Sequence, residues 1–185
     1  FVLFPEYFNA PLMAKFNHLG EAQSIRGLAQ YTEEVRDRFI NLAISYNINI
    51  ITGSMPYVKE DGGLYNVGFL VRRDGSYEMY EKVHVTPDEI KSWGLSGGKM
   101  VQTFDTDCAK IGILICYDVE FPELSRIMAD QGMQILFVPF LTDTQNGYSR
   151  VRVCAQARAI ENECFRVISL SQLMANGPRR LRIPK

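Results

Sequence analysis

Short apolar runs bounded by polar turns alternate along this chain with longer amphipathic stretches, and that alternation restricts the fold more than any other feature. The runs at 109–115 and 134–140 are apolar enough to read as strands buried on both faces, and 2–4, 49–57, 100–104 and 164–169 read as further strands. Segments 66–72 and 77–85 form a hairpin about the turn Arg73-Asp74-Gly75-Ser76. Between the strands, 21–46 carries Leu28, Tyr31, Val35, Phe39, Leu42 and Tyr46 at helical spacing, and 121–131 and 147–162 read as helices. Apolar strands alternating with helices imply a helix-covered sheet, the α/β class.

Composition narrows the field. A chain of 185 residues, 46% apolar and 22% charged, is long enough for one substantial core and too short for two. A net charge of −1 gives nucleic acid or an anionic membrane no electrostatic hold. No stretch reaches the ~20 apolar residues of a membrane helix, and no basic region precedes an apolar one at the N-terminus. The four cysteines, Cys108, Cys116, Cys154 and Cys164, form no CxxC pair and have no histidine close by, so they read as reduced thiols of a cytoplasmic protein.

Three segments carry chemistry. The strand ending in Cys116 leads at once into Tyr117-Asp118-Val119-Glu120-Phe121-Pro122-Glu123, a polar turn opening a helix. A thiol at a helix N-terminus meets exposed N–H groups that favour the thiolate and bind an oxyanion. Phe4-Pro5-Glu6 places a carboxylate just after a short strand, and Glu81-Lys82-Val83-His84 places a lysine among aromatic, β-branched and charged neighbours. Together they supply a nucleophile, a base and a cation.

In order and spacing these segments resemble the glutamate, lysine and nucleophile motifs of the nitrilase superfamily, the carbon–nitrogen hydrolases. The likeness runs from the first residue to about Ser169. It implies a four-layer α-β-β-α sandwich, here cut short at both ends: one incomplete domain over 1–185 with its motifs in 1–170. It also implies a cofactor- and metal-free triad. Cys116 would attack the carbon of a small amide or nitrile, and Glu6 would act as general base. Lys82, with a backbone N–H near Tyr117, would stabilise the thiolate and then the oxyanion. Glu89 matches an accessory glutamate that orients substrate or lysine, with Asp88 as the alternative. Thr142 lies in Pro139 to Asn146, which resembles the family's pocket loop, and these polar groups would line the amide site.

Other residues stay open at this level. His84, two residues from Lys82, would share its strand face, which permits a Cys-His dyad although a structural histidine is the plainer reading. Glu120, where some branches carry a basic residue, argues for a neutral or amine-bearing amide. Glu120, Glu123 and Arg126 equally suit capping and a local ion pair. The segment 147–162 carries Arg150, Arg152 and Arg158 with the small residues Cys154, Ala155, Ala157 and Ala159. It reads either as a homodimer or larger homo-oligomer interface or as a surface helix. The resulting expectation is an amidase; nitrile or N-carbamoyl hydrolysis, a non-catalytic scaffold and a thiol redox protein are the alternatives.

Overall fold

The structure, a computed structural model, describes residues 1–172. The aperiodic segment 173–185, with its basic residues 179–185, lies outside the described residues.

Two sheets form the centre. In the first, β4 (Leu64–Val71) pairs with β2 (Ile50–Ile51) and β3 (Met55–Val58) along one edge. Along its other edge it pairs with β5 (Tyr77–Glu81) and β6 (Leu95–Ser96), and β1 (Val2–Leu3) joins β2 in parallel. The second sheet has the order β10 (Phe165–Gln172), β9 (Ile135–Thr142), β8 (Lys110–Ile113), β7 (Thr103–Asp105). Here β8, β9 and β10 run parallel, so each step needs a crossover, supplied by α3 (Pro122–Asp130) and α4 (Gln145–Glu161).

Alternation along β4 shows how the layers form. Val67, Phe69 and Val71 point to one face and pack on Phe39 and Ala43 of α2 (Thr32–Tyr46). Leu70 points the other way and meets Ile111, Ile113 and Phe137 of the second sheet. Beyond that sheet, the backbone of Gly112 lies against the sulfurs of Met128 and Met133, and Phe140 stacks on Tyr148 of α4. The result is the expected four-layer α-β-β-α sandwich.

Several boundaries differ from the sequence reading. The long helix is two: α1 (Glu21–Leu28) and α2 are separated by a 3₁₀ turn at Ala29–Tyr31. The buried Thr32 hydroxyl donates to the Pro56 carbonyl at 2.6 Å, which ties the start of α2 to the sheet. The burial stripe therefore runs through Leu28, Thr32, Phe39 and Ala43, while Leu42 and Tyr46, at helical spacing but off that face, are exposed. The strand expected over 49–57 is broken between β2 and β3 because Gly53, at φ +68°, turns the backbone there. The second hairpin strand stops at Glu81, so Lys82 and His84 lie on the connection beyond it.

Candidate active site

The site lies where the two sheets release their chains. Glu6 follows β1 and forms an isolated parallel bridge with Ser54, while Lys82 follows β5. Cys116, two residues beyond Leu114, opens a 3₁₀ turn at Cys116–Glu120. Close approach of backbones makes this possible. A Cβ on Gly53 would sit 1.9 Å from the Pro5 carbonyl oxygen, and one on Gly68 would sit 2.1 Å from the Gly53 oxygen. The Tyr80 hydroxyl also donates to the Gly53 carbonyl.

Among the described residues, two of the four non-glycine residues with positive φ are here, Tyr7 and Cys116, both at +49°. The other two, Asn47 and Glu163, sit just after α2 and α4, where helix termini commonly place such a residue. Left-handed backbone costs an ordinary residue roughly 1–2 kcal/mol, so the bonds around Tyr7 and Cys116 must hold them.

Lys82 is 2% exposed and its ammonium lies between two buried carboxylates. Nζ is 2.8 Å from Glu6 Oε1, and 2.9 and 2.8 Å from Glu89 Oε1 and Oε2. Glu89 also accepts from the Tyr7 hydroxyl (2.9 Å) and from the Thr86 N–H (2.8 Å) and hydroxyl (3.0 Å). Glu6 accepts from Asn66 Nδ2 at 3.0 Å and from the Leu141 N–H at 2.9 Å. The Cys116 thiol donates to the Leu141 carbonyl oxygen at 3.7 Å, on the residue whose N–H donates to Glu6, so thiol and carboxylate share one neighbour.

One cation serves two carboxylates, and the protonation pattern follows. Burial alone would push the Lys82 ammonium down, but Glu6 and Glu89 outweigh it and hold it above its ordinary value. Burial likewise opposes ionisation of Glu89, yet Lys82 and the Thr86 and Tyr7 donors keep its carboxyl below the usual range. Glu6 carries the remainder: burial, with the Glu89 charge added, pushes it up despite Lys82. Burial and the Glu6 carboxylate also push the Cys116 thiol well above its ordinary value. This corrects the expectation of a favoured thiolate. The α-helix begins only at Pro122, so no helix N-terminus meets the sulfur, and a dry pocket beside a carboxylate keeps the proton on it.

The remaining sequence candidates separate clearly. Glu89 is buried at the cluster and Asp88 is exposed, which resolves that pair. His84 makes no bond to Cys116; its ring stacks on Phe121 at 3.7 Å and its Nδ1 lies 3.3 Å from Asp118. Tyr117 follows the thiol directly and packs edge-on against Phe121. Glu120 is 2.7 Å from Arg150 Nε, so its charge is compensated and its weight as a substrate signal drops. Arg126 donates to the Glu161 carbonyl. Thr142 packs near Gly147, and the backbone of Leu141, one residue earlier, is what touches the cluster.

Sequence reasoning gave no role to Tyr7, Asn66, Thr86, Leu141, Asp118 or Arg158. Thr86-Pro87-Asp88-Glu89 has the S/T-x-x-E signature of a capping box, and the reciprocal bond is present, with the Glu89 N–H 3.3 Å from Thr86 Oγ1. That signal was available. Arg158, expected in water under the surface-helix reading, is 7% exposed and donates to the Val119 carbonyl at 3.1 Å, bracing the turn that Cys116 opens.

A thiol, a carboxyl raised above its ordinary value and a charged ammonium thus lie together in one buried pocket. The chain belongs to the carbon–nitrogen hydrolase family, which it matches over residues 1–175. It is 50% identical over 169 residues to the probable hydrolase YhcX of Bacillus subtilis (strain 168), covering 91% of this chain and 33% of that protein. To the Homo sapiens omega-amidase NIT2 it is 31% identical over 177 residues, covering 89% of this chain and 59% of that one. Among solved structures, an amidase from Nesterenkonia sp. superposes with a TM-score of 0.75 at 24% identity, over 92% of this chain and 63% of that one, which establishes the fold. The chain thus spans between a third and about three-fifths of the length of these curated relatives. Among the described residues no helix is long and apolar enough to cross a membrane.

Proposed function

We propose that the protein hydrolyses a small non-peptide amide to an acid and ammonia or an amine through a cysteine thioester, without metal or organic cofactor. The observation that carries this reading is the buried Glu6–Lys82–Glu89 array with the Cys116 thiol joined to it through the backbone of Leu141. Because the resting thiol is protonated, Glu6 takes its proton as Sγ attacks the amide carbon. Lys82 and the Tyr117 N–H receive the oxyanion. Protonated Glu6 then gives the proton to the departing nitrogen, which leaves the thioester. Glu6 next deprotonates a water that attacks the thioester carbon, and the proton returns to sulfur as the acid departs. A carboxyl raised above its ordinary value suits a group that holds this proton between steps. The amide-cleaving names among the relatives favour an amide over a nitrile.

The same reading takes the protein as a cytoplasmic homo-oligomer. Ala155 packs inward, and the outward stripe of α4 instead presents Val153 and Ile160, 58% and 71% exposed and seven residues apart, as the apolar anchors of a subunit contact.

The test is intact-mass spectrometry of the full-length protein after brief incubation with a panel of primary amides and nitriles, wild type against Cys116→Ala. A substrate-dependent adduct that needs Cys116, with acid released on standing, is expected. Turnover retained in Cys116→Ala would overturn the mechanism, and a panel without adduct or turnover would favour a scaffold.

A further inference from the structure

We propose that Asp118 is the positioning residue that sets the separation of Lys82 and Cys116; this rests on the thiol-hydrolase reading above. Asp118 is 1% exposed and both its oxygens are used. Oδ1 accepts from the His84 N–H at 2.6 Å and lies 3.3 Å from the ring Nδ1. Oδ2 accepts from the Val83 N–H at 3.2 Å and the Ile115 N–H at 3.3 Å. Val83 and His84 directly follow Lys82, and Ile115 directly precedes Cys116. One carboxylate therefore grips the two segments that bring the lysine from the first sheet and the thiol from the second.

A purely local role does not account for this set. A residue that only caps its own 3₁₀ turn needs the Ile115 N–H, three residues back, and nothing more. The bonds to residues 83 and 84 cross from one sheet to the other. Both N–H groups lie beyond the end of β5 and so have left its ladder, and Asp118 supplies the acceptors they lack. The His84 ring, stacked on Phe121 at 3.7 Å with an interplanar angle of 8°, lies against the carboxylate from the solvent side. Burial raises the Asp118 carboxyl to about 6, against the pull of the N–H groups of His84 and Val83, so at neutral pH it is ionised and acts as an acceptor only.

Asp118→Asn keeps the shape and replaces one acceptor oxygen by an –NH2 that must face at least one backbone N–H. The lysine and thiol segments then lose a shared anchor. The experiment is alkylation of the full-length protein by iodoacetamide at pH 8, with Cys116 and the exposed Cys108 followed separately by peptide mapping and with Tm measured alongside. Lys82→Met removes the cation that favours the thiolate and is expected to slow Cys116 alkylation at least tenfold; if it does not, the thiol-hydrolase reading itself fails. Given that slowing, Asp118→Asn is expected to slow Cys116 by a similar factor while Cys108 is unchanged and the protein stays folded at the assay temperature, with a modest fall in Tm from the unsatisfied N–H. The double variant with Lys82→Met should be no slower than the slower single, because both act through the same lysine–thiolate interaction. His84→Ala keeps the backbone N–H and should stay within about threefold of wild type. Wild-type Cys116 reactivity in Asp118→Asn, or additive losses in the double variant, would overturn the proposal. Should Asp118→Asn not fold, Asp118→Glu retains both oxygens but displaces them by a methylene; slowed Cys116 with Tm held supports positioning, and a wild-type rate overturns it.

Discussion

Lys82 is the residue on which most of the site's electrostatics depends. Its folded pKa is raised, so the stability it contributes is fully present below its unfolded value of about 10.4 and is lost only as pH rises through the folded one. Glu89 is lowered, so its contribution is present above about 4.3 and is lost as pH falls through its folded value. Lys82→Met would leave Glu6 and Glu89 side by side in a buried pocket with no cation between them. Breaking a buried pair in this way costs roughly 3–5 kcal/mol, and denaturant unfolding at pH 7 should show a loss of about that size. Because Glu6 is already raised, it takes up a proton first on acidification, so the gap to wild type should narrow as pH falls from neutrality toward the ordinary carboxylate range. A gap that stays constant over that range would mean the two carboxylates do not share the lysine's charge. Residue identity was legible at this scale: Glu6, Lys82 and Cys116 each sit in a segment whose residue types marked it out. Their protonation was not, because a thiol's pKa depends on the carboxylate and the dry wall that tertiary packing sets beside it.

Elements placed those residues by where they stop. The sequence indicated strands near 49–57 and 77–85, yet the chemistry sits at the breaks: Glu6 beside the interruption between β2 and β3, and Lys82 just past β5. Periodicity reports the body of a strand and is weak at its ends, where one backbone turn changes the register. Gly53 is that turn, with φ +68° and the Pro5 carbonyl where a Cβ would stand. Gly53→Ala should therefore lose more than the roughly 1–2 kcal/mol of a left-handed alanine, since the segment carrying Pro5 and Glu6 must also move. Thermal unfolding and amide turnover, measured together, check this. Unchanged Tm with unchanged turnover would show that the close approach is not needed. The split between α1 and α2 was missed for a related reason: helical spacing continues through residues 29–31, and only the Thr32 bond to β3 reveals the break.

At the scale of the molecule, the two sheets meet face to face and each is covered by helices on its outer side, so the site forms at the rim between independent layers. α4 serves both sides. Inward, Val151 and Ala155 pack on the core and Arg158 holds the Val119 carbonyl; outward, Val153 and Ile160 remain uncovered. If that outer stripe is a subunit contact, Ile160→Glu in the full-length protein should shift sedimentation velocity toward a slower species with its fold retained. A wild-type protein that already sediments as a monomer would remove the basis for the contact.

The sequence by itself determined the alternation of strands with helices and the three chemical segments, because burial periodicity and residue type are local properties. It also fixed the relation to the carbon–nitrogen hydrolases through the order of those segments. Tertiary structure alone decided that Glu89 rather than Asp88 joins Lys82, that the Leu141 backbone reaches Glu6 and Cys116, and that the resting thiol keeps its proton. It also brought Asp118 to the amides of residues 83 and 84, more than thirty positions away. Hydrogen bonds and desolvation act through space, and no pattern along the chain records which strand ends will meet.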